Sequence, residues 1–183
     1  MMFPIENFNM IIRKNFNGRE MTGIEIERKF LVKDDGFKAE AVESHHLVQG
    51  YICRESGRTV RVRVADDRAY LTIKGRNSDS GMSRLEWETE IPVADALSLL
   101  SLCQGGTIDK TRYIVPVSER KWEVDEFHGD NEGLVVAEIE LGSEDEPFGR
   151  PSWLGEEVTG DRRYYNSMLS ECPYKKWQDA SLP

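Results

Sequence analysis

From residue 24 onward, charged and apolar side chains alternate along the chain. In IEIERKFLV, residues 24–32, Glu25, Glu27 and Lys29 share one parity, while Ile26, Phe30 and Val32 share the other. Successive side chains of a strand point to opposite faces, so residues two apart line one face. The same alternation returns in TVRVRV, YLTIK, SRLEWETEI, WEVDEF and VVAEIEL. It predicts strands over 24–33, 47–52, 59–65, 69–75, 83–91 and within 105–117, and a hairpin joining WEVDEFHG to LVVAEIELGS across Gly129 to Gly133. ESGR at 55–58 and DDR at 66–68 read as turns, and RNSDSGM at 76–82 as a polar loop. Helices are expected over 36–46, over 93–102 after Pro92 and in a short stretch from Asp161. The tail from Pro173 carries no pattern. The fold class is therefore mainly β with small helices (α+β). About eight antiparallel strands suffice to close a barrel around one small ligand.

Parity also sorts the chemistry. One face collects Glu25, Glu27, Lys29, Arg61, Arg63, Lys74, Arg84, Glu86, Glu88, Glu90, Lys110, Arg112, Glu123, Asp125, Glu138 and Glu140. The other collects Ile26, Phe30, Val60, Val62, Val64, Leu71, Ile73, Leu85, Trp87, Ile91, Val124, Val135, Ile139 and Leu141, and needs burial under helices and loops. Antiparallel sheets commonly present one solvated polar face. Two features point instead to an enclosed charged face. Its positions are mostly fully charged rather than Ser, Thr, Asn or Gln, and Glu138 and Glu140 sit inside an otherwise apolar run. An uncompensated buried charge costs several kcal/mol, so both signs, or a metal, belong in the enclosure. Carboxylates and bases together suit a metal-bound polyphosphate: Mg²⁺ takes one or two carboxylates and completes its shell from water and phosphate, while Arg and Lys hold the other phosphate oxygens.

Composition narrows the reading. The 183 residues fit one domain, and a net charge of −9 argues against a nucleic-acid partner. Cys53, Cys103 and Cys172 lie too far apart for a zinc motif and read as reduced thiols. No apolar run approaches the roughly 20 residues of a membrane span, and the N-terminus lacks the form of a signal peptide. A cytoplasmic location is expected, with no membrane partner. Residues 1–20 lack the alternation and precede a second methionine, Met21. They are read as an N-terminal extension outside the fold, as a misassigned start codon would produce, with 21–172 as the domain and 173–183 as a C-terminal tail.

These residues resemble the CYTH family, the triphosphate tunnel metalloenzymes, in its short bacterial form. The resemblance runs over about 23–168: EIERKF carries the ExExK signature, followed by QGY at 49–51, VRVR at 60–63, LTIKG at 71–75, Arg84 to Glu88, KTRY at 110–113, EVDEF, AEIEL at 137–141 and DRRYYN at 161–166. It implies an eight-stranded antiparallel barrel forming an open-ended tunnel, and divalent-metal chemistry, with Mg²⁺ or Mn²⁺, on triphosphates. By correspondence, Glu25, Glu27, Glu86, Glu88, Asp125, Glu138 and Glu140 would bind metal. Lys29, Arg61, Arg63, Lys74, Arg84, Arg112 and Arg163 would hold phosphate. Lys110 and Tyr51 would activate water. The expected activity is hydrolysis of a linear triphosphate, foremost inorganic tripolyphosphate, with a homodimer allowed. The alternatives are a class IV adenylate cyclase, a thiamine triphosphatase, or a polyphosphate-binding module without catalysis. His45 and His46 read as a surface pair, His128 as a loop residue, and Trp87 and Trp122 as core.

Overall fold

The computed structural model describes residues 13–14, 20–21, 24–55, 57–80 and 82–177. Most of the expected extension and the end of the tail lie outside the described residues. The strands are β1 (Arg13–Lys14), β2 (Glu20–Met21), β3 (Ile24–Val32), β4 (Glu43–Glu55), β5 (Arg58–Ala65), β6 (Arg68–Lys74), β7 (Ser83–Ile91), β8 (Ile108–Val117), β9 (Arg120–Phe127), β10 (Val135–Glu140) and β11 (Leu154–Glu157). The helices are α1 (Gly36–Glu40), α2 (Val93–Leu100) and α3 (Asn166–Leu169).

Strands β3 to β10 form an antiparallel ring in the order β3-β7-β6-β5-β4-β8-β9-β10, and β10 returns to β3 to close it. Closure gives the charged parity an inside. The seam at β3 is shared: β7 pairs only with Ile24 to Ile26, and β11 takes the same edge higher up, opposite Phe30 and Val32. Gly155 makes that approach possible, because a Cβ there would sit 2.7 Å from the Leu31 carbonyl oxygen. Gly57, at φ 88°, supplies the left-handed turn between β4 and β5.

Alternation located eight strands well, with two departures. The helix expected over 36–46 stops at Glu40, and residues 43–55 form one long strand. Long-range pairing decides this: β4 is zipped to β8 from Glu43↔Ile114 to Gln49↔Ile108, and tertiary pairing overrides a weak local preference. The short β11 was not expected at all, since four residues reading LGEE carry no period.

The apolar parity is buried outside the barrel. Around β3 and β8–β10, Phe30, Trp122, Trp153 and Phe37 pack edge to face, with centroids 5.5 Å apart for Phe30–Trp122 and 5.9 Å for Trp122–Trp153. Helix α2 covers Val62 and Ala69 through Ala96. One expectation is corrected here. Trp87 is not core: Ile73, Leu85 and Trp87 all remain exposed on the outer wall. The eight residues of α2 span only about 12 Å. They pack on β4, β5 and β6 and leave this part of the wall uncovered. Among the described residues, no helix is long and apolar enough to cross a membrane.

Candidate active site

The inward parity of the barrel surrounds a cavity of about 560 Å³. β3 places Glu25, Glu27 and Lys29 in its wall; β4 places Tyr51; β5 places Arg61 and Arg63; β6 places Lys74; β7 places Arg84, Glu86 and Glu88; β8 places Arg112; and β10 places Glu138 and Glu140. At one end the same parity turns apolar, where Ile108, Phe127 and Val136 pack with Leu134 and with Leu169 of α3. Tyr165, Asn166 and Ser167 line the cavity from that C-terminal segment.

Charges of opposite sign interlock around the wall. Lys74 Nζ lies 2.9 Å from both oxygens of Glu25 and 2.9 Å from Glu86. Arg84 Nε donates to Glu25 at 2.8 Å. Lys29 Nζ lies 2.7 Å from Glu138. Arg112 grips Asp125 through two 2.7 Å hydrogen bonds and reaches Glu138 at 3.1 Å. Arg61 and Arg63 both meet Glu88 Oε2 at 3.1 Å, and the Thr72 hydroxyl donates to the same oxygen at 2.6 Å.

The titration of these groups follows from their surroundings. Burial resists ionisation of Glu25, but Lys74 and Arg84 override it and hold its carboxyl well below the usual range. Glu138 is likewise driven down against burial by Lys29, Arg112 and Lys110. Glu27 and Glu86 go the other way: burial raises both, and the neighbouring Glu25 charge adds to it. Carboxylate charge is therefore in excess along the β3–β7 side. Tyr51 is raised by burial, so its phenol stays protonated.

Three of the expected residues are not in the cavity wall. Lys110 and Asp125 are each about 1% exposed and are buried against each other. Both Asp125 oxygens are taken, by Arg112 and Lys110. Lys110 Nζ also lies 3.4 Å from Asn166 Oδ1, and Asn166 does line the cavity. Burial and Arg112 lower the Lys110 pKa to about 8, although Asp125 and Glu138 oppose the shift. Arg163 is not brought to the site. It lies at the surface, where Asp161 caps its short helical turn and binds its guanidinium at 2.6 Å.

Other residues reach the site without having been singled out. Gln49 is fully buried and donates from Nε2 to the Tyr51 hydroxyl at 3.2 Å. The Tyr165 ring lies 5.7 Å from Lys29 Nζ. Parity on β4 and β6 could have found Gln49, Thr72 and Tyr70; Tyr165 and Asn166 lie at the start of α3, in the short stretch from Asp161 where strand parity does not apply. The two histidines separate: His45 lines one mouth beside Asp66, while His46 turns to Asp109. Glu119, Arg120, Lys121 and Glu123 complete that mouth. His128 bonds Thr111 and Glu90 pairs with Arg68, both away from the cavity.

The donor set suits an anion held with a divalent cation. The Arg61 and Arg63 side chains line the cavity, and their Nε atoms are buried without a hydrogen-bond partner; guanidinium groups so placed suit phosphate oxygens. Among the described residues no cluster of three or more His, Cys, Asp or Glu side chains forms a ready metal cage. The elevated Glu27 and Glu86 are carboxylates that a cation would relieve.

The CYTH domain family model matches residues 23–171. The chain is 49% identical over 158 residues to the inorganic triphosphatase of Acetivibrio thermocellus, covering 86% of this chain and 99% of that one. It is 36% identical over 150 residues to the inorganic triphosphatase of Nitrosomonas europaea, covering 80% and 96%. Among solved structures, an inorganic triphosphatase superposes with a TM-score of 0.57 at 34% identity, over 80% of this chain and 93% of that one. A conserved hypothetical protein from Pyrococcus furiosus, at 23% identity and a TM-score of 0.54 over 66% of this chain and 80% of that one, shares the fold.

Proposed function

Because the chain belongs to the CYTH domain family, we propose that it is a divalent-metal-dependent triphosphatase that hydrolyses inorganic tripolyphosphate inside the barrel. One observation carries the reading: an enclosed wall of both signs in which the buried Nε donors of Arg61 and Arg63 have no protein acceptor. The relatives named inorganic triphosphatase support the substrate class.

In this reading Mg²⁺ or Mn²⁺ would be held by carboxylates drawn from Glu25, Glu27, Glu86, Glu88, Glu138 and Glu140. The bound cation supplies charge neutralisation along the phosphate chain. Asp125, behind the wall, fixes the guanidinium plane of Arg112. Lys29, Arg61, Arg63, Lys74, Arg84 and Arg112 exchange carboxylate partners for phosphate oxygens as substrate enters, and the Arg forks align the chain for in-line attack. Each of these bases already has an acid beside it, so its position in the wall is set before substrate arrives. Tyr51, held by Gln49 and protonated, donates a hydrogen bond into the cavity.

Lys110 is the proposed base; because it lies behind the wall, this role requires its Nζ to turn past Asn166 to reach the attacking water, which Tyr51 would orient from the cavity side. Its pKa near 8 supports this role, since a base works best near the operating pH. Its contact with Asn166 connects it to the cavity.

Phosphate release from tripolyphosphate, ATP and thiamine triphosphate, measured side by side with Mg²⁺ and with Mn²⁺, tests the proposal. Tripolyphosphate should give the highest kcat/KM. Cyclic product and pyrophosphate from ATP would make it a cyclase. Preference for thiamine triphosphate would make it a thiamine triphosphatase, and tight binding without turnover would make it a binding module.

A further inference from the structure

Three residues stand in one row across β5, β6 and β7: Arg61 is opposite Thr72, and Thr72 is opposite Glu88. On β6 the neighbours of the same parity, Tyr70 and Lys74, line the cavity, while Thr72 is fully buried behind the charges. The Thr72 hydroxyl donates to Glu88 Oε2 at 2.6 Å and accepts from Arg61 Nη2 at 3.0 Å. Chemistry fixes the direction of both bonds. A guanidinium has only donors and an ionised carboxylate only acceptors, so the one hydroxyl proton goes to Glu88. The β-branched side chain is stiff about χ1, which holds the hydroxyl in place. Glu88 Oε2 also receives Arg61 and Arg63 at 3.1 Å each, whereas Oε1 is contacted by Arg63 at 3.3 Å.

We infer that Thr72 is a positioning residue that keeps Glu88 in the wall when Arg61 and Arg63 turn to substrate; the inference rests on the triphosphatase reading. In that reading both guanidiniums exchange Glu88 for phosphate oxygens. A carboxylate held by those two alone would be drawn after them, and its charge would oppose the phosphate it approached. Thr72 prevents this for three reasons. Its bond to Oε2 is the shortest of those that this oxygen accepts. Its hydroxyl is neutral, so a polyanion has little pull on it. Its place is behind the wall: Arg61 and Arg63 line the cavity and Thr72 does not, so phosphate meets the guanidiniums and not the hydroxyl. The same oxygen accepts from Arg61 and steadies that guanidinium. Thr72 thus lets Glu88 give up its cationic partners without following them.

Thr72→Val keeps the shape of the side chain and removes the hydroxyl, and Thr72→Ser keeps the hydroxyl. Steady-state phosphate release from tripolyphosphate with Mg²⁺, with melting temperature on the same samples, tests the role. Loss of a group that orients a ligand-holding side chain costs about ten- to hundredfold. Thr72→Val should raise KM by about tenfold or more, by a larger factor than it lowers kcat, and Thr72→Ser should recover most of the loss. If Thr72→Val melts below the assay temperature, Thr72→Ala removes the same hydroxyl without crowding and should show the same rise. In Glu88→Gln the carboxylate charge is gone, so adding Thr72→Val there should cost much less than it does alone. A wild-type KM in a folded variant without the hydroxyl would overturn the inference. So would effects of Thr72→Val and Glu88→Gln that multiply to within about twofold, since Thr72 would then not act through Glu88. A wild type without turnover would fail the triphosphatase reading itself. The same variants are then compared by calorimetric affinity for tripolyphosphate, where a coupled loss supports the role of Thr72 and equal affinities overturn it.

Discussion

Neutralising Glu25 separates the catalytic use of the charged wall from its structural use. In Glu25→Gln the amide keeps the volume and one acceptor oxygen. The structural loss is limited because the partners have other acids: Lys74 keeps Glu86 at 2.9 Å, and Arg84 keeps Glu27 at 3.4 Å. Removing one charged acceptor from such a network should cost about 1–3 kcal/mol. At about 2–4 °C per kcal/mol for a chain of this size, Tm should fall by several degrees. The catalytic loss should be larger. A charge that helps to hold the cation and the surrounding bases acts like a preorganised electrostatic group, whose removal costs about 10²–10³ in rate. The two effects are separable, because a fall of several degrees leaves the enzyme folded at 25 °C. Phosphate release from tripolyphosphate should be followed over a metal series, with Tm measured on the same samples. The expected result is a folded variant, slower by about 10²-fold or more, partly rescued by higher metal. A folded variant with wild-type turnover at limiting metal would refute the assignment of Glu25 as a metal ligand.

Arg61→Ala and Arg63→Ala should each raise KM for tripolyphosphate about tenfold or more, since each removes a charge-assisted donor to phosphate; unchanged kinetics in both would place these guanidiniums off the substrate path. Lys110→Ala should lower kcat more than it raises KM. The wild-type rate should climb as pH rises through about 8, as the lysine loses its proton, and the variant should lack that limb. A retained limb would make Lys110 a fixed support for Asp125 and Asn166. Stability should fall in acid. Glu25 and Glu138 have folded pKa values below their unfolded value of 4.5, so their stabilisation is fully present above that value and is lost as pH falls through the lowered ones. Urea midpoints from pH 7 down to pH 3 should drop below pH 4.5, and less steeply in Glu138→Gln; a parallel profile for that variant would contradict the assignment.

Local alternation alone determined much of this protein. Period two is a property of the extended backbone, so Glu25, Glu27 and Lys29 had to share a face in any fold that made that segment a strand. The same holds for Arg61 with Arg63 and for Glu86 with Glu88, and all of these line the cavity. What parity could not say is which residues of a face reach open space. Lys110 and Asp125 share the inward parity yet are sealed behind the wall, because the strand ends there are packed by Phe127, Val136 and Leu169. Arg163 lies in an aperiodic connection, and the nearby Asp161 carboxylate, not the tunnel, decides where its charge goes. Burial of the outward parity was equally undetermined. Trp122 and Trp87 occupy equivalent apolar positions, but the first lies under the segment that brings Trp153 and the second beyond the reach of α2. Closure itself rests on β10 meeting β3, more than a hundred residues apart in the chain. Contacts over that separation depend on where the helices and loops settle, and a two-residue period carries no record of it.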